Sequence, residues 1–358
     1  MFIKSIKLHD YRNISHLDLE FDQKTNVLYG DNGQGKTNIL EALYLAGSTK
    51  SHRGTKDRDL IQFGKEEAHL ELVVEKREIE YVIDIHLKKM ATKGIAINKI
   101  PIRRAGELFG IATFIFFSPE DLGIIKAGPT ARRRFMDLEL SQLDGVYFQL
   151  LLKYNKIVQQ RNALLKSLGR EKDAHDTLSI WDSQLIDVGN KIIDIRSEFI
   201  ENINEIISNI NKKLSNNQEE LQIVYEKSNG EISLAQKLSA NLEKDLRQKN
   251  TSVGPHRDDL SFRANGIDLR NFGSQGQQRT AALSLKLAEL ELAKKMTGDT
   301  PVLLLDDVLS ELDSHRQNCL LESIKGIQTM ITCTGLDEFI HHSFGVDKVF
   351  KINNGQVI

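Results

Sequence analysis

The chain has 358 residues, 40% of them hydrophobic and 27% charged, with a formal net charge of −2. This is an ordinary soluble globular balance, long enough for two or three packed units, and it excludes a globally basic or acidic surface as the basis of function, so any basic footprint has to be local. No apolar run reaches the eighteen or so residues of a membrane helix and no signal-peptide core opens the chain. The two cysteines, Cys319 and Cys333, lack metal-ligand company and read as reduced interior thiols of a cytoplasmic protein without a membrane partner.

In chain order, the first strong signal is TNVLYG, a short apolar run that predicts a buried strand, followed by GDNGQGKT. Gly30, Gly35, Lys36 and Thr37 match G-x-x-x-x-G-K-[ST] at every fixed position. Glycines at this spacing let successive backbone N–H groups point into one concavity and bind phosphate oxygens. The nucleotide-binding set is therefore Gly30, Asp31, Asn32, Gly33, Gln34, Gly35, Lys36, Thr37 and Asn38. Lys36 reaches the β- and γ-phosphates and Thr37 offers its hydroxyl to Mg²⁺, which makes ATP and Mg²⁺ the expected cofactors. TNILEALYLAG then places Ile39, Leu40, Leu43 and Leu45 at helical spacing and ends in Gly47, completing strand, loop and helix. LELVV and EYVIDIHL read as antiparallel strands, and INKIPI closes a hairpin-like segment with Lys99, Arg103 and Arg104 nearby.

The pattern changes in the middle. Leu143, Tyr147, Leu150, Tyr154, Ile157, Arg161, Leu164 and Leu168 keep a 4-3 spacing, and after the polar break GREKDAHDT the stripe resumes through Trp181, Leu185, Val188, Ile192, Ile195, Phe199, Ile203, Ile206 and Ile210. Two stripes joined by a short turn predict an antiparallel helical hairpin with arms of roughly 45–50 Å, an all-helical lobe packed beside the head. Its aromatic residues read as core rather than as a base-stacking platform. DLSFRANGIDL predicts a second hairpin about Asn265–Gly266.

Two further elements bear on chemistry. GSQGQQRTAALSLKLAELELAKK starts an amphipathic helix, with Ser274, Gly276 and Gln277 at an N-terminus that favours an anion. PVLLLDD is a buried strand ending in Asp306, suited to Mg²⁺, and Asp307, suited to orient or deprotonate a water. The competing reading has both aspartates capping a helix that starts near Ser310. One chain thus carries two phosphate-seeking helix starts, whereas a nucleotide has one γ-phosphate. The economical arrangement is a homodimer in which each ATP lies between the phosphate loop of one copy and the Ser274 turn of the other. VFKINNGQVI closes the chain as strand, turn, strand.

The order GDNGQGKT, GSQGQQ, LLLDD and SELD (Ser310 to Asp313) resembles the ABC-type ATPase head: Walker A, signature, Walker B and D-loop. KLHDYRNI, FFSPEDLGIIKAGPTARRRFMD, GPHRDD and GSQGQQRT narrow the resemblance to the RecF family of bacterial recombination and gap-repair proteins. The implied fold is α/β: a P-loop head with an antiparallel β subdomain, split into residues 1–118 and 254–358 around an inserted helical lobe at 119–253. The resemblance implies that Arg12 approaches the nucleotide phosphates. Asp307 replaces the usual catalytic glutamate, which implies slow hydrolysis, so that Lys36, Ser274, Asp306 and Asp307 form the catalytic set of a weak ATPase used as a switch. No histidine stands in the switch position, where MITCTG offers Thr332 and Thr334, and His341–His342 come too late. Glu120 is the candidate for the metal-contacting position between the lobes. Further implications are ATP-dependent binding of double-stranded or gapped DNA, recombinase loading with mediator proteins of the same pathway, and a place in the SOS response to DNA damage, in recombination and in replication. The basic residues available for DNA phosphates are Lys4, Lys56, Arg58, Arg103, Arg104, Arg132, Arg133 and Arg134; each reads equally as a solvated charge, and the triple arginine as a partner of acidic residues. Two other classes compete. A transporter motor subunit would carry the switch histidine and the glutamate, and an ATP-controlled nuclease would need a further carboxylate cluster.

Overall fold

The computed structural model describes residues 1–167, 174–336 and 345–358, and two compact units divide them: residues 1–122 with 283–358, and residues 123–282. The expected boundaries at 118 and 253 thus fall at 122 and 282, and the Asn265–Gly266 hairpin and the Ser274 turn belong to the second unit.

The first unit opens with β1 (Phe2–Tyr11), β2 (Ile14–Glu20), β3 (Thr25–Tyr29) and α1 (Lys36–Ser48), then β4 (Glu67–Lys76), β5 (Ile79–Lys88), β6 (Gly94–Ile97), β7 (Ile100–Pro101) and β8 (Phe114–Phe117). The second unit contributes α2 (Pro129–Leu143), α3 (Gly145–Ser167), α4 (Ala174–Leu214), β9 (Leu221–Glu226), α5 (Leu234–Ala240), α6 (Leu242–Gln248), β10 (Asp259–Ala264), β11 (Ile267–Asp268) and α7 (Leu269–Phe272). The division falls inside α8 (Gln275–Thr297), after which β12 (Val302–Asp306), α9 (Ser314–Ser323), β13 (Thr329–Cys333), β14 (Lys348–Asn353) and β15 (Gln356–Val357) complete the first unit.

Two six-stranded sheets build that unit. One is antiparallel in the order β2-β1-β4-β5-β6-β7. In the other, ordered β15-β14-β3-β13-β12-β8, the strands from β14 to β8 run parallel. Strands covered on both faces need unbroken apolar runs, and every residue of VLLLD, FIFF and TMITC is buried. The antiparallel sheet instead alternates: Ala68, Leu70, Leu72 and Val74 face inward along β4. One hydrophobic cluster joins this inner face to α1 and the parallel sheet through residues such as Ile6, Leu8, Leu40, Leu43, Leu70 and Leu304.

Gly47 does not end the helix. It is buried within α1, where a Cβ would lie 2.4 Å from the Phe114 ring, and the helix stops one residue later with Thr49 in the left-handed conformation at φ 62°. Gly47 is there because strand β8 passes too close for any side chain. The three expected hairpins form: Asn98–Lys99 turns β6 into β7, Asn265–Gly266 turns β10 into β11, and Asn354–Gly355 turns β14 into β15, all at positive φ as a type I′ turn requires.

In the second unit α3 and α4 are antiparallel, since Tyr147 early in α3 meets Arg196 late in α4 while Arg161 late in α3 meets Asp182 early in α4. Their 23 and 41 residues correspond to about 35 and 60 Å. The heptad stripe holds through Tyr147, Tyr154, Ile157, Leu185, Val188, Ile192, Phe199 and Ile203, but Leu165, Arg196 and Ile207 are buried where Leu164, Ile195 and Ile206 were expected. A helix of 3.6 residues per turn drifts against a 3.5 repeat, so one seam cannot stay buried over so many turns. Leu168 lies outside the described residues. The unit is also not purely helical: β9, β10 and β11 form a three-stranded antiparallel sheet.

Candidate nucleotide-binding site

The phosphate loop hangs between β3 and α1, and two of its glycines are dictated by neighbours. Gly30, at φ 146°, leaves no room for a Cβ, which would meet the Ile352 carbonyl oxygen at 2.3 Å; Gly35, at φ 107°, would meet the Asn13 side chain at 2.8 Å. Lys36 is buried, and its ammonium donates to the carbonyls of Gly30 and Asp31 at 2.5 and 2.8 Å and so points into the concavity of its own loop. Two outside elements brace the loop. Gln34 takes hydrogen bonds from the N–H groups of Asn354 (side-chain oxygen, 2.7 Å) and Gly355 (carbonyl, 2.8 Å), and Asn38 donates to Asn13 at 2.8 Å. Gln34, read as a nucleotide contact, thus has its side-chain oxygen taken by the C-terminal hairpin.

Beside the loop, the parallel register brings the ends of β12 and β13 together. Thr37 donates its hydroxyl to Asp306 Oδ1 at 2.7 Å, and Thr332, the register partner of Asp306 on β13, donates to the same oxygen at 2.8 Å. The Asp307 N–H reaches the Thr332 hydroxyl at 3.0 Å, and Asp307 sits at φ 54°, an uncommon conformation for a residue with a side chain. Such outliers persist only where the surroundings impose them. Burial raises the pKa of Asp306, with Thr37 and Thr332 opposing; burial also raises that of Asp307, with the Lys36 charge opposing. Neither aspartate caps the following helix: Asp313 does, accepting from the Arg316 N–H at 3.0 Å, and α9 starts at Ser314 rather than near Ser310.

Arg12 is held by the chain's own residues. At φ 55° on the β1–β2 turn, it grips both oxygens of Glu41 at 2.9 Å and also bonds Thr55 and the Asp59 carbonyl. Burial works against the Glu41 charge, but hydrogen bonds from Arg12 and Ser51 outweigh it and keep the carboxyl below its usual pKa. Glu41 was missed, although a lone acid in the apolar stretch NILEALYLAG was the available signal. Glu120 is exposed, with one hydrogen bond of 3.4 Å from Ser118. His341–His342 lie outside the described residues.

In the second unit, Ser274 and Gln277 close a capping box: the Gln277 N–H donates to Ser274 Oγ at 3.2 Å and the Ser274 N–H to Gln277 Oε1 at 2.8 Å. The arginine run separates. Arg132 is 1% exposed and makes a bidentate pair with Asp259, both bonds 2.7 Å, so it is a core ion pair and not a DNA contact. Arg133 donates to the Asp258 carbonyl at 2.7 Å, and Arg134 is exposed. Of the remaining basic candidates, Lys4 pairs with Glu75 and Glu80 at 2.7 and 2.9 Å and Arg58 with Asp59 at 3.5 Å, while Lys56, Arg103 and Arg104 are exposed. GPHRDD forms no open site. Pro255, His256, Asp258 and Asp259 bond Arg196, Tyr154, Tyr225 and Arg132 in a buried polar network.

No helix among the described residues is long and apolar enough to cross a membrane. Residues 2–106 match the RecF/RecN/SMC N terminal domain model. The DNA replication and repair protein RecF of Agathobacter rectalis is 56% identical over 357 residues, covering 100% of this chain and 99% of that protein, and the RecF of Clostridium acetobutylicum is 42% identical at the same coverage. Among solved structures, the recombination mediator protein RecF with ATP, of the RecFOR pathway, is 38% identical with a TM-score of 0.93, covering 100% of this chain and 97% of that one. The Smc head domain of Pyrococcus furiosus, 15% identical with a TM-score of 0.57, shares the ABC-type head fold. With relatives of this identity over its full length, the chain belongs to the RecF family.

Proposed function

We propose that this chain is an ATP-dependent DNA-binding protein of recombinational and replication-gap repair, a weak ATPase whose nucleotide closes a homodimer on double-stranded or gapped DNA. The observation that carries the reading is the 2.7 Å contact of Thr37 with Asp306, residues 269 positions apart, which joins the phosphate loop to the carboxylate strand in one oxygen-lined mouth. The RecF relative solved with ATP supports the choice of nucleotide.

Thr37 Oγ1 and Asp306 Oδ1 are hard oxygen donors of the kind Mg²⁺ takes. When bound, magnesium supplies charge neutralisation on the phosphates. The chain does the rest. Loop N–H groups and Lys36 hold the phosphates, the Thr332 hydroxyl keeps Asp306 oriented, and Asp307 orients or deprotonates the attacking water. Asp307 is one methylene shorter than a glutamate and reaches that water less well, which makes turnover slow and suits a timing switch. Ser274, Gly276 and the α8 N-terminus of a second copy cap the γ-phosphate, and hydrolysis reopens the dimer.

The closed dimer gathers basic residues of both copies on one duplex. Lys56, Arg58, Arg103, Arg104 and Arg134 are the candidates, contacting phosphates without reading sequence. The protein works in the cytoplasm and helps load recombinase with mediator proteins of its pathway; that the solved relatives are recombination mediator proteins of the RecFOR pathway supports the mediator role. Fluorescence anisotropy of labelled duplex DNA tests the reading. DNA is retained with an ATP analogue, released with ADP, and not retained by Lys36→Ala under either condition; nucleotide-independent binding by both proteins would sink it.

A further inference from the structure

Four histidines stand in one row across four neighbouring strands of the antiparallel sheet. The register pairs His16 of β2 with His9 of β1, His9 with His69 of β4, and His69 with His86 of β5. The row lies on the outer face: the flanking Leu8, Leu17, Leu70 and Leu87 are buried, while His9 and His16 are exposed. Nucleotide binding makes no use of it.

The two halves of the row differ. His69 and His86 are occupied by carboxylates, with Asp84 at 3.3 Å and Glu67 at 3.1 Å from their Nε2 atoms. Among the described residues, His9 and His16 instead engage only each other, Nδ1 to Nδ1 at 3.3 Å in a hydrogen bond whose proton an ion would displace, with ring centroids 4.4 Å apart. An unprotonated imidazole nitrogen is a common metal ligand. A zinc ion about 2.0–2.1 Å from each of two nitrogens, at a tetrahedral angle, holds those nitrogens about 3.3–3.4 Å apart. The pair already stands at that spacing.

We propose that His9 and His16 form a two-imidazole binding site for a divalent transition-metal ion of the zinc class. Imidazole selects such ions over the oxygen-seeking magnesium and calcium. Among the described residues no group of three or more His, Cys, Asp or Glu forms a metal cluster, so water or an incoming group fills the other positions. The ion would tie the two strands together close to the turn of the hairpin whose tip carries Arg12 and Asn13. The site rests on the sheet's register and stands whether or not the loop takes a nucleotide.

The test is calorimetric titration of untagged, chelator-treated full-length protein with Zn²⁺, with Co²⁺ absorption as a second readout. Wild type binds an equivalent of Zn²⁺ that both His9→Ala and His16→Ala lose, and the Co²⁺ d–d band disappears in the same two variants. His86→Ala keeps both signals, and circular dichroism shows that every variant is folded. The assignment is overturned if wild type binds no Zn²⁺ at millimolar concentration, if the His9/His16 double variant binds like wild type, or if His86→Ala loses the ion as well.

Discussion

Replacing His256 by Gln should flatten the acid dependence of stability in the second unit. The His256 ring is neutral and satisfied: Nε2 donates to the Thr251 carbonyl at 3.1 Å and Nδ1 accepts from the Tyr154 hydroxyl at 2.8 Å. Burial is the main reason its pKa falls from 6.5 to about 4, and the nearby Arg257 and Arg133 charges push the same way. The unfolded chain therefore takes up a proton as pH falls through about 6.5, whereas the folded chain holds it off until about 4. Stability is complete above the first value and lost progressively toward the second. At pH 5 the unfolded imidazole is nearly all charged and the folded one nearly all neutral, so the loss between pH 7 and pH 5 is about 2 kcal/mol. The single tryptophan, Trp181 on α4, reports unfolding of this unit in urea. Wild type should lose about 2 kcal/mol more than His256→Gln over that interval, whatever the variant's own stability at pH 7. Equal losses in the two proteins would show that His256 is not held neutral and refute the reasoning.

Four further outcomes are expected. Ser274→Asp keeps an N-cap residue but sets a negative charge against the γ-phosphate, so light scattering should show ATP-loaded monomers with an unchanged melting temperature; a normal dimer would free Ser274 of its role. Asp307→Asn should lower phosphate release at least tenfold and prolong DNA retention, and unchanged turnover would remove Asp307 from the chemistry. Arg132→Ala, which leaves Asp259 without its buried partner, should destabilise by about 3–5 kcal/mol. The exposed pair Arg103→Ala/Arg104→Ala should leave melting unchanged and reduce the salt dependence of DNA binding. The reverse pattern would contradict this sorting of the arginines.

The phosphate loop was legible because its chemistry is local: glycine, lysine and threonine spacing is itself the geometry of a phosphate cradle. The parallel strands were legible because burial on both faces leaves apolar runs such as PVLLLDD. What could not be read depends on distant partners. The alternative reading of the triple arginine as a partner of acidic residues holds for Arg132, but its partner Asp259, 127 positions on, could not be named from the sequence. The tie of the Gln34 side-chain oxygen to the C-terminal turn, 320 positions away, was likewise beyond reach. Glu41 needed the knowledge that the β1–β2 turn returns Arg12 to α1. The β9–β10 pairing joins LQIVYE to a strand beyond two short helices, so its short alternating run was absorbed into the helical lobe.

The account turns on ATP completing a contact that a single copy cannot make. The most direct measurement is the solution mass without nucleotide, with ADP and with a non-hydrolysable ATP analogue. It should read about 41 kDa in the first two conditions and twice that in the third, against a chain mass of 40.6 kDa. An unchanged monomer with the analogue bound at saturation would contradict the account.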